Sequence, residues 1–292
     1  MGFVCGVFLL LTLPALAWTK VVNDFSECKT FFLDGTPPTV LSDQKRYRLI
    51  CQNHENQYEF ATLYDTSKLI PVYSAYTYKS CGKGKRPHVN WVTENDLGNE
   101  AQALDKDYKT IQDSQKVHGY NRGHLFPVCH AESQSAKDAT FTLTNIVPQN
   151  VEFNNIGWGE MEDYVKNYMN KMCSPSVTYT VTGAVPSTKN LVNKKVNIPD
   201  YMWTASCCNK DGRWVSRAHY GKNAMGEVPV SVSLEKLEEQ LTIDYNERFL
   251  VFGGKCYEDK PFISKYLDYS TNLFQHYVDR LCGNSVIKTK QG

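Results

Sequence analysis

Charge of one sign is what this chain lacks most: 32 Lys and Arg stand against 31 Asp and Glu in 292 residues, a formal net charge of +1. That balance argues against a broadly basic, salt-sensitive nucleic-acid surface, while leaving room for a local phosphate site. After the first residues there is no further long apolar run, which excludes a membrane-spanning helix in the body of the chain. Internal repeats, low-complexity stretches and an obvious linker are all missing, so the length reads as one larger unit rather than several. No Asn-x-Ser/Thr acceptor occurs, and no two cysteines show the spacing of a zinc knuckle.

What is there begins with an apolar run from Phe3 to Leu13, followed by Pro14 and the small-residue ending Ala15-Leu16-Ala17. Residues 1–17 therefore read as a secretory signal cleaved before Trp18, although no Lys or Arg precedes the run. Ten cysteines fit an exported, disulfide-stabilised protein; with Cys5 in the signal, the remaining nine leave at least one unpaired or paired between chains. The mature chain, 18–292, is expected to be one domain located outside the cell.

Patterning gives an α+β chain. Arg46–Cys51, Glu59–Tyr64 and Ile70–Tyr78 read as strands, the last two flanking the turn Asp65-Thr66-Ser67-Lys68. Residues 81–119 are polar and broken, a long surface excursion, and a basic run of Lys79, Lys83, Lys85, Arg86 and His88 leads into it. That run reads first as a solvated loop and second as a substrate contact. Phe141–Val147 alternates like a strand that Pro148 ends. Trp158, Met161, Val165, Tyr168 and Met172 form an apolar stripe on a helix from about Asn155 to Lys171. Further strands are expected at 177–182, 201–207, 214–220 and 249–252, a short helix capped by Ser233, and a terminal helix at 269–281 tied by Cys282.

The chemistry sits in Tyr120-Asn121-Arg122-Gly123-His124, in Thr144-Asn145-Ile146-Val147-Pro148-Gln149, and in Asn154, Trp158 and Glu162. Phosphodiester hydrolysis needs a base near the attacking water, positive charge around the phosphoryl oxygens and help for the leaving alkoxide. His124 is the natural base and Arg122 a fork of donors for phosphate, with Gly123 letting the backbone pass close to the substrate. A hard divalent ion keeps most of its waters, so the amide oxygen of Asn154 can be its only direct protein ligand. Glu162, a rise of about 12 Å further along a regular helix, is expected to act through the ion's water. The plainer readings are a helix cap for Asn154 and a wet helix face for Glu162.

Together these segments resemble the DNA/RNA non-specific endonuclease family, and within it the endonuclease domain-containing 1 group; the likeness covers about 58–252. The resemblance implies the ββα-metal nuclease fold, a central, mostly antiparallel sheet flanked by helices. It implies hydrolysis of DNA and RNA with little sequence preference, leaving 5′-phosphate ends, and Mg2+ as cofactor with Mn2+ as a substitute. Residue by residue, it implies His124 as general base, Arg122 as phosphate and transition-state contact, Asn154 as direct metal ligand, Glu162 as the positioner of metal-bound water, and Asn145 and Gln149 as supporting and substrate-contacting groups.

One position departs: the family's Asp before the arginine is Asn121 here. The competing reading is thus a secreted nuclease-fold binding protein that is weak or inactive. Two minor alternatives are a zinc site of His124, Cys129 and His130 and a cysteine hydrolase using Cys129 with His130. His130 otherwise shapes the loop.

Overall fold

The turn at Asp65–Lys68 does join two strands, and they are the seed of an eight-stranded antiparallel sheet. The computed structural model describes residues 20–82, 84–88, 90–108 and 119–257. In chain order the strands are β1 (Lys20–Val22), β2 (Tyr47–His54), β3 (Gln57–Asp65), β4 (Ile70–Tyr78), β5 (Tyr120–His124), β6 (Ile146–Asn150), β7 (Thr178–Val185), β8 (Leu191–Val192), β9 (Val196–Asn197), β10 (Tyr201–Lys210), β11 (Arg213–Lys222) and β12 (Val230–Val232). The main sheet runs β1-β2-β3-β4-β7-β10-β11-β12, while β5-β6 and β8-β9 are separate ribbons. Among the α-helices that accompany them are α1 (Gln134–Ala139), α2 (Gly159–Met172) and α3 (Leu234–Tyr245).

β3 and β4 are buried almost end to end, the mark of a sheet covered on both faces. One face packs Leu63, Tyr73 and Trp203 against Phe25, Phe32, Leu237, Leu241 and Phe249. The other carries Met161, Val165 and Met169 of α2, with Trp158, Phe153 and the β5-β6 ribbon. The helix stripe is therefore the one expected through Val165, but it continues to Met169, while Tyr168 and Met172 stay half-exposed. Ser233 caps α3 by accepting from the Lys236 N–H, as expected.

Among the described residues three disulfides tie the layers: Cys28–Cys51, Cys173–Cys208 and Cys207–Cys256. Among the described residues Cys81 and Cys129 are free thiols. The expected signal, the terminal helix at 269–281 and Cys282, together with Lys83, lie outside the described residues.

Three expectations are corrected. Phe141–Val147 is not a strand: Leu143–Asn145 is a 3-10 turn and the strand is Ile146–Asn150, with Pro148 inside it opposite Arg122. A two-stranded ribbon leaves each strand one unpaired edge, so a missing N–H is tolerated there. The alternation came from Thr142 and Thr144, whose hydroxyls turn inward onto the buried Glu94 carboxylate rather than outward. Phe249–Phe252 is buried but irregular, because its N–H groups donate to side chains, Phe249 to Thr242 Oγ1, Leu250 to Thr39 Oγ1 and Val251 to Glu238 Oε1. Finally, the excursion after Cys81 is not all surface. Leu97, Ala103 and Tyr108 are buried, and the Gln102 amide ties Glu94 to Leu97.

Candidate active site

Alternation along β5 decides which side chains can meet. Arg122 and His124 share one face, and Asn121 takes the other. Between them Gly123 stands beside Gln149 so closely that a Cβ would lie 2.0 Å from Gln149 Oε1 and 2.6 Å from Gln149 Cβ. The glycine is thus required by the close approach of the two ribbon strands.

On the first face both functional side chains lie against Trp91. The His124 ring sits 5.4 Å from Trp91 and 5.2 Å from Phe141. The Arg122 guanidinium lies 5.3 Å from the Trp91 ring and 5.6 Å from that of Tyr108, and Nη2 donates to Asp105 Oδ1 at 2.6 Å. Aromatic faces and one carboxylate thereby hold the fork without using all of its donors; Nε is buried with no partner. Burial lowers the His124 pKa to about 3, and the Arg86 charge adds to the effect. His124 is consequently neutral at pH 7, with an enclosed Nε2 that has no partner and part of the ring open.

Arg86 and Trp91 are the residues the sequence reading missed or undervalued. Arg86 belongs to the basic run, lies exposed and sits 5.5 Å over the Phe141 ring. Its charge reaches both His124 and Glu162. The run was the available signal, but only the fold shows that one member points into the site. Trp91 had no local pattern.

On the second face, Asn121 Nδ2 and Asn154 Nδ2 both donate to Asn155 Oδ1, each at 3.3 Å. The departing position therefore lies beside the expected metal ligand rather than beside Arg122. Asn154 itself is on a π turn, Phe153–Trp158, that leads into α2. A π turn takes more residues per turn, so the separation from Glu162 is shorter than the α-helical value of about 12 Å. Glu162 is half-buried. Burial raises its carboxyl pKa to about 8; the Trp158 indole N–H opposes the shift and Asp163 adds to it.

Asn145 and Gln149 do not reach the open side. Asn145 is fully buried: Oδ1 accepts from Ser74 and the Phe126 N–H, and Nδ2 donates to Phe126 and Thr140 carbonyls. It fastens the chain following His124 to β4. Gln149 is also fully buried, wedged against Gly123 with neither amide atom paired. Both side chains are enclosed in this structure.

The minor alternatives lose their chemistry here. Both ring nitrogens of His130 are engaged, by Tyr76 Oη and the Glu162 carbonyl, which leaves neither for zinc. Burial, reinforced by Glu162, holds the Cys129 thiol well above its usual range, so it is no thiolate nucleophile. Among the described residues no three His, Cys, Asp or Glu side chains cluster as a metal cage. A hard cation bound mostly through water needs none.

Comparison with known proteins bears on the family and the fold. Residues 44–260 match the family model for DNA/RNA non-specific endonuclease. The chain is 31% identical over 278 residues to the human endonuclease domain-containing 1 protein, covering 86% of this chain and 51% of that protein. It is 28% identical over 143 residues to the mouse mitochondrial nuclease EXOG, 47% of this chain and 36% of that one. The chain thus spans about half the length of the curated relatives it most extensively matches. Among solved structures, the EndoG/EndoGI complex superposes with a TM-score of 0.55 at 16% identity, covering 78% of this chain and 91% of the other, a likeness of fold.

Proposed function

Because the chain belongs to the DNA/RNA non-specific endonuclease family, we propose that it is a secreted, metal-assisted endonuclease that hydrolyses phosphodiester bonds in DNA and RNA, with His124 as general base. The observation that carries this reading is the shared placement of Arg122 and His124 against Trp91, with the Arg86 charge reaching both His124 and Glu162.

His124 takes the proton of the attacking water. Its depressed pKa suits this role only once substrate is present, and the phosphodiester supplies the change: its negative charge engages Arg86 and raises the imidazole's proton affinity as the proton must move. Asp105 takes Nη2 of Arg122, and the rest of the fork is the donor set offered to phosphoryl oxygens. The amide oxygens of Asn154 and Asn121 suit a hard divalent ion such as Mg2+ or Mn2+, with their N–H2 groups both occupied by Asn155. Asn154 would hold the ion directly and Glu162 through water; when bound, it supplies positive charge to the phosphate and the leaving oxygen. Export from the cell is supported by the apolar N-terminal run and three disulfides. Among the described residues no helix is long and apolar enough to cross a membrane.

Cleavage of supercoiled plasmid and of RNA by the chain from Trp18 onward, with magnesium and with chelator, tests the proposal. Magnesium-dependent nicking supports it, and a folded protein inert with several divalent ions overturns it in favour of a nuclease-fold binding protein. That second reading rests on Asn121, which removes a charge next to Asn154. Asn121→Asp is expected to tighten divalent binding about fivefold, on the order of 1 kcal/mol for a charge added close by in a wet site. The magnesium concentration giving half-maximal nicking, with calorimetric titration of Mn2+, measures it; an unchanged affinity refutes the charge argument.

Glu162 gives a linked-proton prediction. With its pKa raised to about 8, the carboxyl is mostly protonated at pH 7 in the metal-free chain and gains its charge as pH rises through 8. Divalent binding should therefore expel roughly one proton at pH 7 and strengthen toward pH 9. Heats measured in buffers of different ionisation enthalpy report the proton. Glu162→Gln should bind more weakly and lose both the proton release and the pH dependence.

A further inference from the structure

His130 follows the active strand by six residues, at the end of the turn Val128–His130, and is almost fully enclosed. Its Nδ1 lies 3.0 Å from Tyr76 Oη, and its Nε2 lies 3.2 Å from the backbone carbonyl of Glu162. A carbonyl can only accept, so Nε2 carries the proton and Nδ1 accepts from the tyrosine hydroxyl. One neutral tautomer satisfies both contacts, and burial keeps it neutral by lowering the His130 pKa to about 4.

The two partners belong to different layers. Tyr76 lies toward the end of β4, and its ring stacks on Phe126 at 4.1 Å, directly after the His124 segment. Glu162 lies in the first turns of α2. A cavity of about 10 Å3 bordered by Tyr76, His130, Trp158, Met161 and Glu162 leaves room for one water at most. Phe or Leu would fill such a space; neither would bind the peptide group of the one helix residue whose carboxyl the site uses.

We infer that His130 is a positioning residue, a strut between β4 and α2 that fixes the rotation of the helix so that the Glu162 side chain faces the reacting phosphate. The helix carbonyl has a second lone pair beyond its own ladder bond, and His130 donates to it from the side. Buried bonds of this kind specify one arrangement, because an unpaired alternative is costly. The inference rests on the nuclease reading for its catalytic consequence but not for its structural one.

The test uses the whole mature chain and three variants. His130→Phe keeps ring volume and loses both bonds, His130→Gln retains an acceptor and a donor, and Tyr76→Phe removes one bond. For His130→Phe, kcat on DNA at saturating magnesium should fall at least tenfold with KM changed less than twofold, and His130→Gln should recover most of the loss. A folded His130→Phe with kcat within twofold of wild type overturns the inference. If that variant does not fold, Tyr76→Phe decides: a threefold or larger fall in kcat at constant KM supports the strut, and unchanged kcat overturns it. If wild type does not cleave at all, the nuclease reading fails separately. The strut is then judged by amide hydrogen exchange over residues 160–166, which should quicken at least tenfold in His130→Phe, and an unchanged rate overturns it.

Discussion

His124→Ala is expected to lower magnesium-dependent plasmid nicking near pH 7 by about 10²- to 10⁴-fold, the usual worth of a positioned general base. Fold and DNA affinity should be little altered, since the ring is half-open and its contacts are to Trp91 and Phe141. Single-turnover nicking alongside filter binding of DNA separates the two effects; loss of binding rather than rate would refute the assignment. The same residue sets a stability signature. Its folded-state pKa, about 3, lies below the unfolded value near 6.5, so the unfolded chain binds more protons in that interval. The contribution of the neutral ring is whole above about pH 6.5 and declines as pH falls toward 3. Thermal melts of His124→Ala should accordingly lose less stability than wild type on acidification through that window.

Gly123→Ala should be nearly as damaging by a different route. The new methyl would meet Gln149 Oε1 at 2.0 Å and its Cβ at 2.6 Å, and Gln149 is fully buried, so it cannot swing into solvent. The ribbon has to part, which moves Arg122 and His124 together. Overpacking of this kind costs about 1–3 kcal/mol, readable as a lower urea midpoint at constant slope, with nicking reduced at least tenfold. Gln149→Gly in the same chain removes both clashing atoms and should restore part of each. A Gly123→Ala protein that is as stable and active as wild type would refute the steric account.

Where contacts are local the sequence was a sufficient guide. The β3-β4 hairpin was visible from its turn and β-branched residues, and α2 from Met161 and Val165. Arg122, His124, Asn154 and Glu162 stood out as candidates because their residue types suit phosphodiester chemistry and their joint spacing matches a family pattern. What escaped depends on approach over long separation. Trp91 reaches His124 and Arg122 only after the chain has passed through residues 92–119, and Arg86 reaches Phe141 across 55 residues. The roles of Asn145 and Gln149 came from the family resemblance, which carries no information on exposure, and both are fully buried. Pro148 and Phe249–Phe252 misled in opposite directions, since strand pairing depends on which partner a backbone group finds rather than on side-chain pattern.

Cys207 and Cys208 are consecutive in β10, so they leave it on opposite faces, one to Cys256 and the other to Cys173 at the end of α2. A slip of that strand by one residue would offer each thiol to the wrong layer. The adjacent pair therefore acts as a parity check during oxidative folding: both bridges close only when β10 is in register, and their closure locks in the sheet alignment on which the helix bearing Glu162 rests.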